Sequence, residues 1–148
     1  MRVALVHDWL NGMRGGERVL EIFCELYPHA DIYTLFLDEE KISPRIRKMN
    51  ITTSFLQKFP FSRNRYRYYL PLYPRAVERF DLDGYDLVIS TSHAAAKGCR
   101  PPRSAVNICY CFTPMRYVWF MYEEYFGKNP LKKAILTPII NYLRRWDR

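Results

Sequence analysis

Apolar residues occur along this chain in compact blocks, and the blocks predict strands that alternate with helices. Five of them have the continuous apolar or β-branched character of strands buried in a parallel sheet. They cover residues 2–7, 30–37, 51–54, 86–91 and 105–111. Helical patterns lie between and after these blocks, so the alternation predicts a parallel sheet with helices on both faces.

Two segments have the apolar spacing of amphipathic helices. In the first, which starts near Glu17, the predicted buried face consists of Val19, Ile22, Phe23 and Leu26. In the last, residues 130–146, it consists of Leu131, Ile135, Ile139, Tyr142 and Trp146, with a bend expected at Pro138. Shorter helical pieces are predicted within residues 57–80, 94–97 and 116–126.

Together these elements predict a single doubly wound α/β domain, Rossmann-like, with a parallel sheet in the strand order 3-2-1-4-5. The length of 148 residues fits one domain. A sixth strand is usual in such a sheet, and we expect it to follow Arg148. Ligands bind such sheets at the carboxyl ends of the strands, beside the point where the strand order reverses. Residues 7–16, 90–98 and 111–119 follow those strand ends and are the candidate site segments.

The composition is that of a folded domain, with 49% apolar and 26% charged residues. No apolar run approaches the roughly 20 residues that cross a bilayer, and the first residues lack a signal-peptide pattern, so we expect a cytoplasmic protein. The four cysteines form no C-x-x-C pair, which argues against a zinc site, and we predict no bound metal. Cys109 and Cys111 alternate within a strand, and we expect both to be buried.

Basic residues outnumber acidic ones by 23 to 15, which gives a net charge of +8. Most of the excess lies in residues 57–79, which also hold four tyrosines, and in residues 128–148. Three interpretations stay open: a solvated basic face, an anionic membrane surface and single-stranded nucleic acid. No helix-turn-helix, RRM or KH signature is present, which weighs against nucleic acid.

Glycines before the first helix offer a place for an anion. Gly15 and Gly16 precede a helix whose amino end carries free N–H groups and a positive dipole, and both features suit phosphate. The spacing is neither G-x-G-x-x-G nor the Walker pattern, so the sequence argues against a dinucleotide or P-loop site. A plain strand-to-helix turn is the alternative.

Two other strand ends carry side chains suited to a ligand. His93 follows the fourth strand at the reversal point, and Arg116 and Trp119 follow the fifth. The guanidinium of Arg116 can hold an anion or a sugar hydroxyl, and the ring of Trp119 can pack on a sugar face. A core histidine and a helix cap with a core tryptophan are the structural alternatives. Because the nearby acids lie at the opposite strand ends, no nucleophile triad is indicated.

Several short motifs, in this order, resemble the amino-terminal half of family 4 glycosyltransferases of the GT-B fold, and the resemblance points to the WbaZ-like mannosyltransferase group of bacterial surface polysaccharide synthesis. It spans nearly the whole chain. The motifs are His7-Asp8-Trp9-Leu10, Gly12-Met13-Arg14-Gly15-Gly16-Glu17, Asp31-Ile32-Tyr33-Thr34-Leu35-Phe36, Thr53-Ser54-Phe55-Leu56-Gln57, Asp86-Leu87-Val88-Ile89-Ser90 with Ser92-His93 and Lys97-Gly98, Tyr110-Cys111-Phe112-Thr113-Pro114-Met115-Arg116-Tyr117, and Trp146-Asp147-Arg148.

The resemblance implies an enzyme that transfers a sugar from a nucleotide-diphosphate sugar to a glycan or lipid-linked acceptor, with retention of configuration and without a bound metal or other cofactor. This chain corresponds to its acceptor-side domain; the nucleotide-sugar domain is absent from it, and we expect the chain alone to be inactive. The resemblance also implies the site residues. His93 is the catalytic candidate at the donor sugar, Gly15 and Gly16 approach the donor diphosphate, and the acceptor is bound by Asp8, Trp9, Arg116 and Tyr117.

Two other functions remain open beside this one. The first is a basic nucleic-acid-binding module, which rests on charge and tyrosine content alone. The second is a non-catalytic half-domain that binds a partner or serves as a scaffold. If the glycosyltransferase interpretation holds, we expect the two basic stretches to bring the protein to an anionic membrane surface as a peripheral protein.

Overall fold

A computed structural model of the chain describes residues 1–62, 64–119 and 130–148. These residues form one parallel sheet in the order β3-β2-β1-β4-β5. The strands are β1 (Val3–His7), β2 (Asp31–Thr34), β3 (Asn50–Thr53), β4 (Leu87–Ser92) and β5 (Val106–Cys111). The predicted α/β class and the strand order 3-2-1-4-5 are therefore confirmed.

Helices lie on both faces of this sheet. They are α1 (Gly15–Leu26), α2 (Pro44–Arg47), α3 (Tyr73–Val77), α4 (Arg116–Trp119) and α5 (Pro130–Asp147), with 3-10 turns at Glu39–Lys41, Phe55–Lys58, Tyr66–Leu72 and Ala96–Gly98. The helix predicted for residues 116–126 is confirmed over α4, and its remainder lies outside the described residues. Within the described ranges no helix is long and apolar enough to span a bilayer.

The core has two layers, one on each face of the sheet. On one face Leu5 and Ile89 pack with Leu20 of α1. On the other face Val6 and Val88 pack with a larger group that includes α3 and the second half of α5. Because β1 and β4 are covered on both sides, all their residues are buried, which explains why both strands are continuous apolar runs in the sequence.

The predicted buried face of α1 is wrong in part. Ile22 and Leu26 are 54% and 64% exposed. The helix instead packs through Leu20 and Cys24, with Phe23 half-buried beside them. The apolar stripe of α1 is wider than its contact with the sheet, so the spacing alone does not show which part of the stripe faces inward.

The face predicted for α5 is also wrong in part. Ile139 packs against the core as expected, but Ile135 is 64% exposed and Tyr142 is 45% exposed. The buried residues are Ile140 and Leu143, which follow the same helical spacing about one position further round the helix. The side chain of Leu131 lies outside the described part of the chain.

The burial expected for Cys109 and Cys111 is wrong. They do share one side of β5, but all six residues of this strand are exposed. The physical reason is that β5 forms an edge of the described sheet, where the burial that covers β1 and β4 ends.

The end of α5 is held against the loop that follows β4. Nζ of Lys97 lies 2.7 Å from Oδ1 of Asp147, and Nε1 of Trp119 donates to Oδ2 of the same carboxylate at 2.8 Å. One residue earlier, Nε1 of Trp146 donates to Oε1 of Glu78 at 2.8 Å. These contacts tie α4 and α5 to the carboxyl end of the sheet, where ligands bind in this fold class.

Candidate functional site

Trp9 and His93 meet at the carboxyl ends of β1 and β4, the two strands beside the reversal of strand order. Their rings are edge-on, with centroids 4.5 Å apart and planes at 89°. Trp9 is 2% exposed, whereas the side chain of His93 is 22% exposed. The buried indole therefore supports an imidazole that stays accessible, as a ligand-contacting side chain requires.

Asp8 is fully buried, and its carboxylate accepts four backbone N–H groups. Oδ2 accepts from His93 at 2.7 Å and from Ala94 at 3.0 Å. Oδ1 accepts from Ala95 at 2.6 Å and from Ala96 at 2.7 Å. A buried carboxylate is stable only when its oxygens are hydrogen-bonded, and these four donors meet that need. Because both oxygens are occupied below the surface, this geometry does not support the direct acceptor contact that the resemblance implies for Asp8.

His7 is also fully buried, on the α1 side of the sheet. Its Nδ1 lies 2.7 Å from Oγ1 of Thr91, whose hydroxyl lies 3.4 Å from the carbonyl oxygen of Val6 and donates to it. Thr91 therefore accepts from Nδ1–H of His7, and Nε2 has no hydrogen-bond partner among the described residues. Burial lowers the pKa of His7, and the negative charges of Asp8 and Glu17 oppose that shift only in part.

Gly15 and Gly16 are the first two residues of α1, so the helix begins two residues earlier than the predicted start near Glu17. A Cβ atom at Gly16 would lie 3.4 Å from Cε1 of His7 and 3.6 Å from Cε2 of Phe112, so the backbone passes close to both rings. The buried Glu17 accepts from the backbone N–H of Arg14 at 3.1 Å, and the Arg14 guanidinium lies 3.5 Å from its other oxygen. An anion bound at this helix end would lie close to the carboxylate of Glu17 and to the guanidinium of Arg14, which is paired with that carboxylate.

Trp9 and Tyr117 line a cavity of about 950 Å³, and their ring centroids are 6.4 Å apart. Further aromatic walls come from Tyr66 and Tyr73, both close to Trp9. The Tyr73 hydroxyl donates to the Tyr66 carbonyl oxygen at 2.9 Å, and burial raises the pKa of Tyr73 well above its usual value. The cavity is lined by Trp9, Asn64, Arg65, Tyr66, Arg67, Tyr68, Leu70, Pro71, Tyr73, Tyr117, Leu136, Ile139, Ile140 and Leu143.

This lining combines three kinds of side chain: aromatic residues, apolar residues of α5, and two arginines. Arg65 and Arg67 are the charged residues of the lining, and both are exposed. Arg116 is exposed at the start of α4 and is not among the lining residues. The ring centroid of His7 lies 6.3 Å from that of His93, so His7 connects Gly16 with the group formed by His93, Trp9 and Tyr117. Arg116 lies outside the cavity.

Two features of this neighbourhood are not predicted from the sequence. The first is the pairing of Asp8 with the turn that holds His93. A signal for it exists, because Asp8 and His93 each come one residue after the last residue of β1 and β4, which are neighbours in the predicted order. The second is that residues of the 65–73 segment line the cavity. Their basic and aromatic composition indicated a binding surface but not its position in the fold. Across the described ranges, no cluster of three or more His, Cys, Asp or Glu residues could hold a metal ion.

Comparisons with known proteins give one structural likeness. No protein-family model and no curated protein matches the chain. Among solved structures, it is similar to the lipopolysaccharide outer core galactosyltransferase WaaB in its apo form, with 13% sequence identity and a TM-score of 0.37. The likeness covers 62% of this chain and 26% of that one, so the chain spans about a quarter of the length of that structure.

Proposed function

We propose that this chain is the acceptor-side domain of a retaining glycosyltransferase of the GT-B fold. The enzyme moves a sugar from a nucleotide-diphosphate sugar to a glycan or lipid-linked acceptor in surface polysaccharide synthesis. The observation that carries the proposal is the packing of His93 on Trp9 and of Trp9 beside Tyr117 at the carboxyl edge of the sheet, next to a large aromatic cavity. Gly16 lies near this group, with the ring of His7 between it and His93. Open parallel sheets bind their ligands at this edge.

In the proposed arrangement, the donor approaches from the α1 side. The backbone of Gly15 and Gly16 faces the donor diphosphate at the amino end of a 12-residue helix. His93, which is partly accessible, contacts a hydroxyl of the donor sugar. The transfer breaks the bond between the sugar and the diphosphate and forms a bond to an acceptor hydroxyl, so stabilisation of the leaving phosphates is the largest expected contribution to the rate.

The acceptor occupies the cavity in this proposal. The half-buried Tyr117 offers its ring to a sugar with the buried Trp9 packed near it, and the exposed Arg65 and Arg67 favour an acceptor that carries negative charge. Arg116 could meet the acceptor only outside the cavity. Asp8 contributes to this site because it holds the turn that carries His93, and not because it contacts the acceptor.

The same side of the protein carries the features expected of a peripheral membrane contact on the cytoplasmic face. Phe61 is 71% exposed and Tyr68 is 77% exposed, and Arg65 lies over the Phe61 ring at 5.6 Å. Exposed aromatic rings interleaved with basic side chains suit the interface of an anionic bilayer. A membrane contact here would bring the cavity close to a lipid-linked acceptor.

The proposal is tested by a transfer assay on the complete polypeptide that carries this domain. Radiolabelled UDP-, GDP- and dTDP-sugars are incubated with lipid-linked acceptors, and the product is resolved by chromatography. We expect product from one donor class, and kcat/KM lower by about 10²-fold in His93→Ala, the loss typical of one placed transition-state contact. His29→Ala is the matched control, since His29 is exposed in the turn before β2.

Two outcomes would count against the proposal. Absence of transfer from every donor class would remove the glycosyltransferase assignment. A normal kcat/KM in folded His93→Ala would remove His93 from the site. The 148-residue chain by itself is expected to give no product above the blank, and turnover by this chain would contradict its assignment as the acceptor-side half alone.

A further inference from the structure

We infer that Asp8 is a positioning residue that sets the orientation and tautomer of His93, so that His93 Nε2 accepts a hydrogen bond and selects a hydroxyl rather than a phosphate oxygen. The inference deepens the proposed function and rests on it for one point, that the ligand at His93 is a sugar. The placement of the imidazole itself rests on the contacts around Asp8.

The first contacts fix the backbone at His93. The four N–H groups that Asp8 binds belong to consecutive residues, His93 to Ala96, which lie 85 to 88 positions away in sequence. One carboxylate thus holds the whole turn between β4 and the 3-10 turn at Ala96–Gly98. Because consecutive N–H groups converge on one buried side chain, the Cα of His93 cannot shift without breaking several hydrogen bonds at once.

The next contact concerns the ring. Oδ2 of Asp8 lies 3.2 Å from Nδ1 of His93. An ionised carboxylate only accepts hydrogen bonds, and a neutral imidazole carries its single proton on one of its two nitrogens. The carboxylate therefore favours the proton on Nδ1 and leaves a lone pair on Nε2. Trp9, edge-on at 4.5 Å, restricts the plane of the ring.

The chemical consequence follows from the lone pair. Nε2 in this tautomer accepts a hydrogen bond from a hydroxyl group, whereas it repels a phosphate oxygen, which is also an acceptor. His93 is thereby matched to the sugar part of a nucleotide-sugar and not to its diphosphate. Asp8 contributes to the choice of ligand although it is buried and touches no ligand.

Nitrogen NMR on the 148-residue chain without ligand reads the tautomer directly. Two-bond ¹H–¹⁵N correlations of the imidazoles are recorded at pH about 8, above the ordinary histidine pKa of about 6.5, and His93 is assigned from a His93→Gln spectrum. We expect the Nδ1–H tautomer in the wild type and a mixture of tautomers in Asp8→Asn. Asp38→Asn, a change at another mostly buried acid, should keep the wild-type pattern.

An Nε2–H tautomer in the wild type, or an unchanged tautomer in folded Asp8→Asn, would overturn the inference. If Asp8→Asn does not fold, the wild-type spectrum alone decides between the two tautomers. In the transfer assay, Asp8→Asn and His93→Ala should each lower kcat/KM, and the double variant should lose no more than His93→Ala alone. A correct tautomer without any transfer would count against the proposed function and leave the positioning of His93 intact.

Discussion

A Cβ atom at Gly98 would overlap Cζ2 of Trp146, so the indole of Trp146 fills the space that a side chain at position 98 would need. Most substitutions at glycines are costly because of backbone conformation. Here the cost comes from packing, because the ring at the end of α5 lies directly on the loop that follows β4.

Gly98→Ala should therefore displace Trp146 and break its hydrogen bond to Glu78. We expect a loss of about 1–3 kcal/mol in the free energy of unfolding, as in other overpacked cores. Thermal unfolding followed by tryptophan fluorescence measures both the loss and the movement of the indole. Gly15→Ala is the matched control, since no described heavy atom lies within 4 Å of its Cβ position. Equal midpoints for the two variants would contradict this account.

The ion pair between Lys97 and Asp147 should contribute more than a surface pair of the same chemistry. The side chain of Asp147 is 3% exposed, and its carboxylate also accepts from Trp119. Removal of Lys97 leaves the buried carboxylate of Asp147 without its charge partner, so Lys97→Ala should cost about 3 kcal/mol. The comparison is Arg45→Ala, which breaks an ion pair with Glu25 whose two side chains are 52% and 50% exposed, and which should cost under about 1 kcal/mol. Denaturant unfolding of both variants gives the two values, and similar losses would refute the burial argument.

His7 should make the stability of the fold depend on pH. Burial lowers its pKa in the folded state, whereas the unfolded chain takes up the proton near the ordinary value of about 6.5. The unfolded state then binds more protons below about pH 6.5, so the free energy of unfolding falls as the pH falls. His7→Gln removes this titration and should flatten the slope between about pH 5 and 6.5, where one group contributes up to about 1.4 kcal/mol per pH unit. Denaturant unfolding at several pH values tests it, and parallel slopes would contradict it.

The exposed aromatic residues of the basic stretch should anchor the chain on anionic vesicles. Co-sedimentation with phosphatidylglycerol vesicles should be strong at low salt and weak at high salt, because salt screens the attraction of the basic residues. Phe61→Ala with Tyr68→Ala should weaken binding by about tenfold through the loss of ring burial. Tyr110→Ala, which removes a ring 49% exposed on β5, should have no effect. Equal binding to neutral vesicles would rule out the electrostatic part.

The sheet could be predicted because its central strands are recognised from the hydrophobicity of consecutive residues alone. A strand covered on both faces is a continuous apolar run, and β1 and β4 are such runs. The alternation of strands and helices then leaves few arrangements, and the observed strand order is the usual one. The meeting of Trp9 and His93 follows from the same logic, because His93 comes directly after β4 and Trp9 comes two residues after the end of β1.

The remaining differences depend on contacts between segments far apart in sequence. The inward stripe of α5 is set by how the helix lies on the sheet, and a shift of one position exchanges Tyr142 for Leu143. The exposure of Cys109 depends on whether another layer of the protein covers β5. The residues of the strand alone do not show whether such a layer is present. The hydrogen bonds that the backbone N–H groups of residues 93–96 donate to Asp8 require the register of β1 against β4, because a shift by one residue would move the carboxylate away from the turn.

The outer side of β5, which faces away from β4, has no partner strand among the described residues. Val106 and Phe112 donate their backbone N–H groups to Asp86 and Ser92. Alternate N–H groups of a strand point to opposite sides, so those of Asn107, Cys109 and Cys111 point outward, and no described strand pairs with them. In deuterated buffer these amides should exchange far faster than their neighbours. Residues 104–115 contain no charged side chain, so in the 148-residue chain by itself this edge lacks the usual protection against strand-to-strand association, and at high protein concentration its aggregation should begin there.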